Sequence, residues 1–163
     1  MNTLAAPLTD LILYREKSVA FQAYYAELEG WTSALKSGTL SQEEHPYSKY
    51  YPINLQRMKR GIKQIKLSDE IRSAVENVDG IIEWFVLTEQ WCGDAAQSLP
   101  LFHKLSQELP AKLTLRILCR DQNLELMDQF LTDGGRSIPK VIQVNSTGRI
   151  TGAWGPRPAP AQG

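Results

Sequence analysis

The chain has 163 residues, 42% of them hydrophobic and 22% charged, which suits one compact domain with an appendage and argues against disorder. Eighteen basic and eighteen acidic side chains cancel, so no global field draws the protein to nucleic acid or to acidic lipid. No apolar run is long enough to cross a bilayer, and Met1–Asp10 lacks the basic start and apolar core of a secretory signal, so a cytoplasmic location is expected.

Leu8 to about Trp31 carries Leu11, Ile12, Tyr14, Val19, Tyr24 and Leu28 with few breakers, which predicts a helix stopped by Gly30. A loop follows at Lys36–Leu40. Ser41-Gln-Glu-Glu44 has the pattern of a capping box, and Pro46 and Pro52 punctuate the next stretch. Tyr51, Leu55, Met58, Ile62 and Ile65 repeat at helical spacing, predicting a helix that ends near Lys66. Ser68 is placed to cap a short helix through Val78, with Asp69 and Glu70 in its favourable first turn.

The pattern changes at Gly80. Ile81–Thr88 is apolar, aromatic or β-branched except at Glu83, the signature of a central strand. Helical pattern then runs to about Leu109 and should be kinked by Pro100. Leu113–Cys119 reads as a second strand, and Asn123–Leu131 as a short helix stopped by Gly134-Gly135. Lys140–Val144 and Arg149–Trp154 form a hairpin around Asn145-Ser-Thr-Gly148. The order β-α-β-α-β-β is an α/β layer arrangement.

The chemistry concentrates at Trp91-Cys92-Gly93-Asp94-Ala95, between the first strand and the helix after it. A thiol at a helix N-terminus is favoured as thiolate, and Asp94 opposes this with a like charge. Together with Pro100, Leu113-Thr-Leu, Asp121-Gln-Asn123, Ile138-Pro139 and Gly155, this segment resembles the thioredoxin superfamily from about Gly80 to Gly155. The resemblance implies a thioredoxin-like fold, a mixed central sheet flanked by helices, with an N-terminal helical extension. Residues 1–67 would be that extension, packed on the core, and 68–163 the thioredoxin-like domain.

What the resemblance implies for the site follows from the matching positions. Cys92 would be the nucleophile, and Trp91, Gly93, Ile138, Pro139 and Trp154 would form a groove for an extended peptide. The Ile138–Pro139 bond would be cis, against a trans proline at a strand start. Gly93 would let the loop pass close to the ligand. Asp94, Ala95 and Asp121 would shape the loop, with Asp121 either bonding near it or ending the strand. Gly155 would match the glycine that closes the groove.

The chain departs from the family pattern in three places. Ala95 replaces the second cysteine of the dithiol motif. Val86, six residues before Cys92, stands where thioredoxins bury an acid. The sequence stops at Gly163, where the family's C-terminal helix would begin, so that helix is expected to be missing or replaced. Without a second thiol in the motif, a mixed disulfide on Cys92 would have to be resolved by glutathione as a co-substrate, by another protein, by another thiol of the substrate, or by Cys119 as a remote resolving thiol. Cys119 equally reads as a small buried hydrophobe. The expected partner is a disulfide-containing or extended peptide or protein. The alternatives are a non-enzymatic binding module on the same fold, or a redox sensor.

Other signals point elsewhere. Arg57, Lys59, Arg60, Lys63 and Lys66 read as a solvated helix face and not as a nucleic-acid site. His45 and His103 are far apart, with no metal-ligand spacing and no organic cofactor motif around them.

Overall fold

The computed structural model describes residues 6–157. The end of the chain, where a C-terminal helix would have to begin, lies outside the described residues. In chain order the elements are α1 (Leu11–Lys17), α2 (Phe21–Ser37), α3 (Tyr51–Gln64), α4 (Asp69–Glu76), β1 (Ile82–Thr88), α5 (Gly93–Glu108), β2 (Leu113–Cys119), α6 (Leu124–Met127), β3 (Lys140–Asn145) and β4 (Ile150–Trp154). The fold is a mixed α/β arrangement with a helical N-terminal part, as the sequence reading expects.

The sheet order is β2-β1-β3-β4. β1 runs parallel to β2 and antiparallel to β3, and β3–β4 is the expected hairpin, bulged near Gln143 and Val144. β1 is therefore internal, which accounts for its run of Phe85, Val86 and Leu87, all with no exposed surface. The alternation along the strand assigns its two faces. Trp84 meets Phe102 of α5 edge-on, with ring centroids 5.5 Å apart. Glu83 faces the other way, toward α1.

Glu83 is the one acid inside the apolar strand, and the structure gives it two partners. Arg15 of α1 forms an ion pair with it, and Arg116 Nε of β2 donates to Oε2 at 2.6 Å. Burial works to raise its pKa, and the hydrogen bonds and charges of the two arginines overcome this, holding the carboxyl below its usual range.

The helix expected over Leu8–Trp31 is instead two helices. Val19 breaks it by pairing with Ile117, with N–H···O bonds of 2.9 Å in both directions, so the chain covers the outer edge of β2. Ladder bonds to an open edge outweigh helix continuation there. At the opposite side of the sheet, Leu8 N donates to Gly148 O at 2.8 Å. The N-terminal segment thus clasps both ends of the sheet, with Arg15 reaching Glu83 between them. Gly30 does not stop α2. A glycine inside a helix costs only about 1 kcal/mol relative to alanine, and the helix continues to Gly38, whose φ of 75° makes the left-handed C-cap.

The capping pattern at Ser41 forms without a helix. Ser41 Oγ accepts from Glu44 N at 3.3 Å and Ser41 O from His45 N at 3.0 Å. Pro46 lacks the next N–H and the turn ends. Ser68 does cap its helix, accepting from Ile71 N at 3.2 Å. Between Asn123 and Leu131 only the single turn of α6 is α-helical, preceded by a 3-10 turn at Arg120–Gln122.

α3 lies across α5 at a close crossing. A Cβ on Gly61 would sit 2.9 Å from the Pro100 ring, so the absence of a side chain lets the two helices approach. Pro100 is inside α5, as the sequence places it. This contact brings the front of α3 beside the first turn of α5, where Cys92 sits.

Candidate functional site

Cys92 is the N-cap of α5, with extended backbone angles that turn the chain from strand exit to helix. It is 7% exposed. Its Sγ–H donates to Ile138 O at 3.5 Å, and the Ile138–Pro139 peptide is cis. A cavity of about 950 Å³ opens over the sulfur, with Trp91, Cys92 and Ile138 among its walls. Tyr47 leans on Trp91 with ring centroids 5.2 Å apart. Arg120 stands over the same indole, its guanidinium 5.3 Å from the ring centroid.

The sequence sets the helix end against the Asp94 charge at Cys92, and the surroundings decide the direction. Burial is the largest influence and pushes the thiol up. The Ala95 N–H lowers it, the Asp94 charge raises it, and the Asp94 N–H and Arg120 lower it; the net direction is up. The sulfur, itself buried, is favoured as thiol.

Ala95, in the place of the second thiol, has no exposed surface and belongs to the core. Asp94 is at the rim, 3.5 Å from Arg157. Asp121 joins the loop through its backbone, its N–H donating to Glu89 Oε1 at 2.9 Å, while its carboxylate pairs with Arg120. Cys119 Sγ donates to the same Glu89 oxygen at 2.9 Å. Burial and that carboxylate push the Cys119 thiol up to about 11. The two cysteines are free thiols with different partners.

Trp154 does not line the Cys92 cavity. Its ring meets Phe102 edge-on at 5.6 Å and lines a separate apolar cavity of about 510 Å³ with Trp84, Leu105 and Ile71. The β4 pleat turns it toward α5, and the groove instead receives Pro156 and Arg157 from the residues that follow. Gly93 lines the Cys92 cavity. A Cβ there would meet Arg57 Nη1 at 2.7 Å, so the glycine makes room for a guanidinium of α3. Gly155 packs against the Pro139 backbone. At φ 119° it packs so closely on Pro139 that a Cβ would lie 2.1 Å from the Pro139 carbonyl oxygen. Lys140 Nζ ties the two segments by donating to Gly155 O at 2.9 Å.

The residues missed in the sequence come from the N-terminal helices. Asn54, with no exposed surface, donates to Gln90 O at 3.0 Å. Gln90 Nε2 donates to Tyr24 O at 2.9 Å and to Glu27 Oε1 at 3.0 Å. The loop before Cys92 is therefore held from behind by α2 and α3. Arg57, read as part of a solvated face, lines the cavity instead, as do Arg120, Arg136 and Arg157. Asn54 and Arg57 are one helical turn apart, and only the crossing with α5 shows which face they occupy. The histidines take packing roles: His45 Nδ1 is 2.9 Å from Tyr51 Oη, and His103 stacks on Phe21 at 4.1 Å.

A family model described as Thioredoxin matches residues 41–163. The chain belongs to the thioredoxin family. The match begins before α3, so it includes one of the two helices that brace the Cys92 loop, and α2 lies outside it. No curated protein matches the chain. Among solved structures, a protein of unknown function from Pseudomonas aeruginosa is similar, with a TM-score of 0.63 and 16% identity over 94% of this chain and 80% of that one. An HIV epitope-scaffold gives a TM-score of 0.64 and 16% identity over 93% and 80%. At that identity the likeness is one of fold. Within the thioredoxin family this chain keeps a single thiol in the motif and surrounds it with arginines.

Proposed function

We propose that the protein carries out thiol–disulfide exchange with a single motif thiol. The thiolate of Cys92 attacks one sulfur of a substrate disulfide. A Cys92–substrate S–S bond forms, the substrate S–S bond breaks, and its second sulfur leaves as thiolate. An external thiolate then attacks the adduct, taking the substrate sulfur into a new disulfide and returning Cys92 to thiolate. Ala95 supplies no sulfur for the second step, so the external thiol is obligatory. Glutathione is the co-substrate we assign to it, and the cytoplasm is the compartment that supplies it. No metal or organic cofactor enters either step.

The observation that carries this reading is the placement of Cys92 at the N-cap of α5, opening into a cavity with Ile138 alongside. The Ile138 backbone and Trp91 would align an extended peptide or protein segment. Reduced protein exposed to glutathione disulfide at neutral pH tests it by peptide mass analysis. The expected result is an adduct on Cys92 that excess thiol reverses. An unmodified Cys92, under conditions that derivatise free cysteine, would refute exchange.

One observation favours a second reading. Burial holds Cys92 as thiol, which suits a non-enzymatic module that binds extended peptides in the same cavity. Retained peptide binding by an unreactive Cys92 would decide for it.

A further inference from the structure

We propose that the Cys92 cavity selects disulfides flanked by carboxylates, and that Arg57 is the guanidinium that meets them; the exchange step rests on the Cys92 reading above. Four arginines from four separate segments reach this one cavity: Arg57 from α3, Arg120 after β2, Arg136 before the Ile138–Pro139 turn and Arg157 after β4. In a chain of zero net charge such convergence is local and not a reflection of composition.

Three of the four are held by acids of their own chain. Arg120 Nε lies 3.0 Å from Asp121, Arg136 Nε 2.8 Å from Asp128, and Arg157 Nε 3.5 Å from Asp94. Arg57 differs. Its Nη1 donates to the neutral side chain of Asn54 at 2.9 Å, and among the described residues no carboxylate pairs with it. The cavity is left with one guanidinium in excess of its acids.

Arg57 is also aimed by its neighbours. Asn54 is fixed by its own buried bond to Gln90 O, so the acceptor that holds the guanidinium is rigid. Gly93 removes the side chain that would exclude it from the start of α5. A planar fork held beside the nucleophile is suited to a carboxylate on the group attached to the substrate sulfur. Such carboxylates occur in a small acidic thiol and in a peptide with Asp or Glu next to its cysteine, and the two sources share this chemistry.

The test uses the full chain and four probes: three disulfide peptides of equal length with acidic, neutral or basic flanks, and glutathione disulfide. The second-order rate of adduct formation on Cys92 is read by intact mass at low and high salt. The acidic peptide should react about tenfold faster than the basic one at low salt, with the ratio shrinking as salt screens it. Glutathione disulfide reacting as fast as the acidic peptide assigns the small thiol; lagging behind it assigns the peptide. Arg57→Gln should bring the acidic-to-basic ratio below about twofold, Arg57→Lys should restore much of it, and Lys63→Gln should leave it unchanged. A flat ratio in the parent, or a full ratio in Arg57→Gln, would overturn the proposal. If Cys92 reacts with none of the probes, exchange fails separately, and binding of cysteine-free acidic and basic peptides decides. Tighter acidic binding that is lost in Arg57→Gln supports the proposal; equal binding overturns it.

Discussion

Replacing Gly155 with alanine tests its packing on the Pro139 backbone. The new Cβ would lie 2.1 Å from Pro139 O, 3.1 Å from Pro139 C and 3.3 Å from Lys140 Cα, all backbone atoms. No flexible side chain can yield, so the backbone has to move by roughly 1 Å, an overpacking worth about 1–3 kcal/mol. An alanine held at φ 119° adds strain of about 1–3 kcal/mol. The movement also pulls Gly155 O from Lys140 Nζ, whose bond spans 2.9 Å. We expect a loss of about 4 kcal/mol against a typical total of about 5–15 kcal/mol. At roughly 2–4 °C per kcal/mol for a domain of this size, the melting temperature should fall by about 8–16 °C. Urea unfolding gives the free energy directly. A matched control is Gly30→Ala, where a Cβ meets nothing within 4 Å inside α2 and stability should rise by about 0.5–1 kcal/mol. A Gly155→Ala protein within about 1 kcal/mol of the parent would refute the reasoning.

Three further perturbations separate the supports of the site. Asn54→Ala leaves Gln90 O buried without its donor and should cost about 1–3 kcal/mol in urea unfolding, while iodoacetamide labelling of Cys92 speeds up as its loop loosens. Glu83→Gln removes a carboxylate whose folded pKa is depressed, so the parent's contribution is present above the unfolded value of about 4.3 and disappears as pH falls through the folded one. The variant should be less stable by about 1–3 kcal/mol at neutral pH, and its urea midpoint should vary less than the parent's between about pH 6 and pH 3. Because burial raises the Cys92 pKa, less thiolate is present at neutral pH than in a free cysteine. Its labelling should be slower there and climb about tenfold per pH unit, without levelling off below about 8.5. A plateau near neutral pH would contradict the burial argument.

Much of the α/β half is legible in the sequence because its signals are local. The apolar run before Cys92, the alternation of Leu113–Cys119 and the turn at Asn145–Gly148 each specify their own element. The N-terminal half misleads where tertiary contacts decide. Nothing near Val19 announces that an edge of β2 will capture it, and nothing near Gly30 distinguishes a tolerated helix glycine from a stop. At the site, the motif places Cys92 and Ile138 together, since one lies on the loop leaving β1 and the other on the loop entering its antiparallel neighbour β3. Trp154 is misassigned because its side depends on the β4 pleat, and one residue changes the face. Arg57 and Asn54 are invisible as site residues without the α3–α5 crossing at Gly61 and Pro100. The direction of the Cys92 shift is also a packing property: the opposed helix end and Asp94 charge are readable, but the burial that outweighs the helix end is not.

The lifetime of an isolated Cys92–peptide mixed disulfide tests single-thiol exchange most directly. The adduct is purified away from all free thiol and followed by intact mass with and without added glutathione. With Ala95 in the resolving place and Cys119 bonded to Glu89, the adduct should persist alone and be released on adding glutathione, returning free Cys92. Release without any added thiol, leaving a Cys92–Cys119 bridge, would contradict the account.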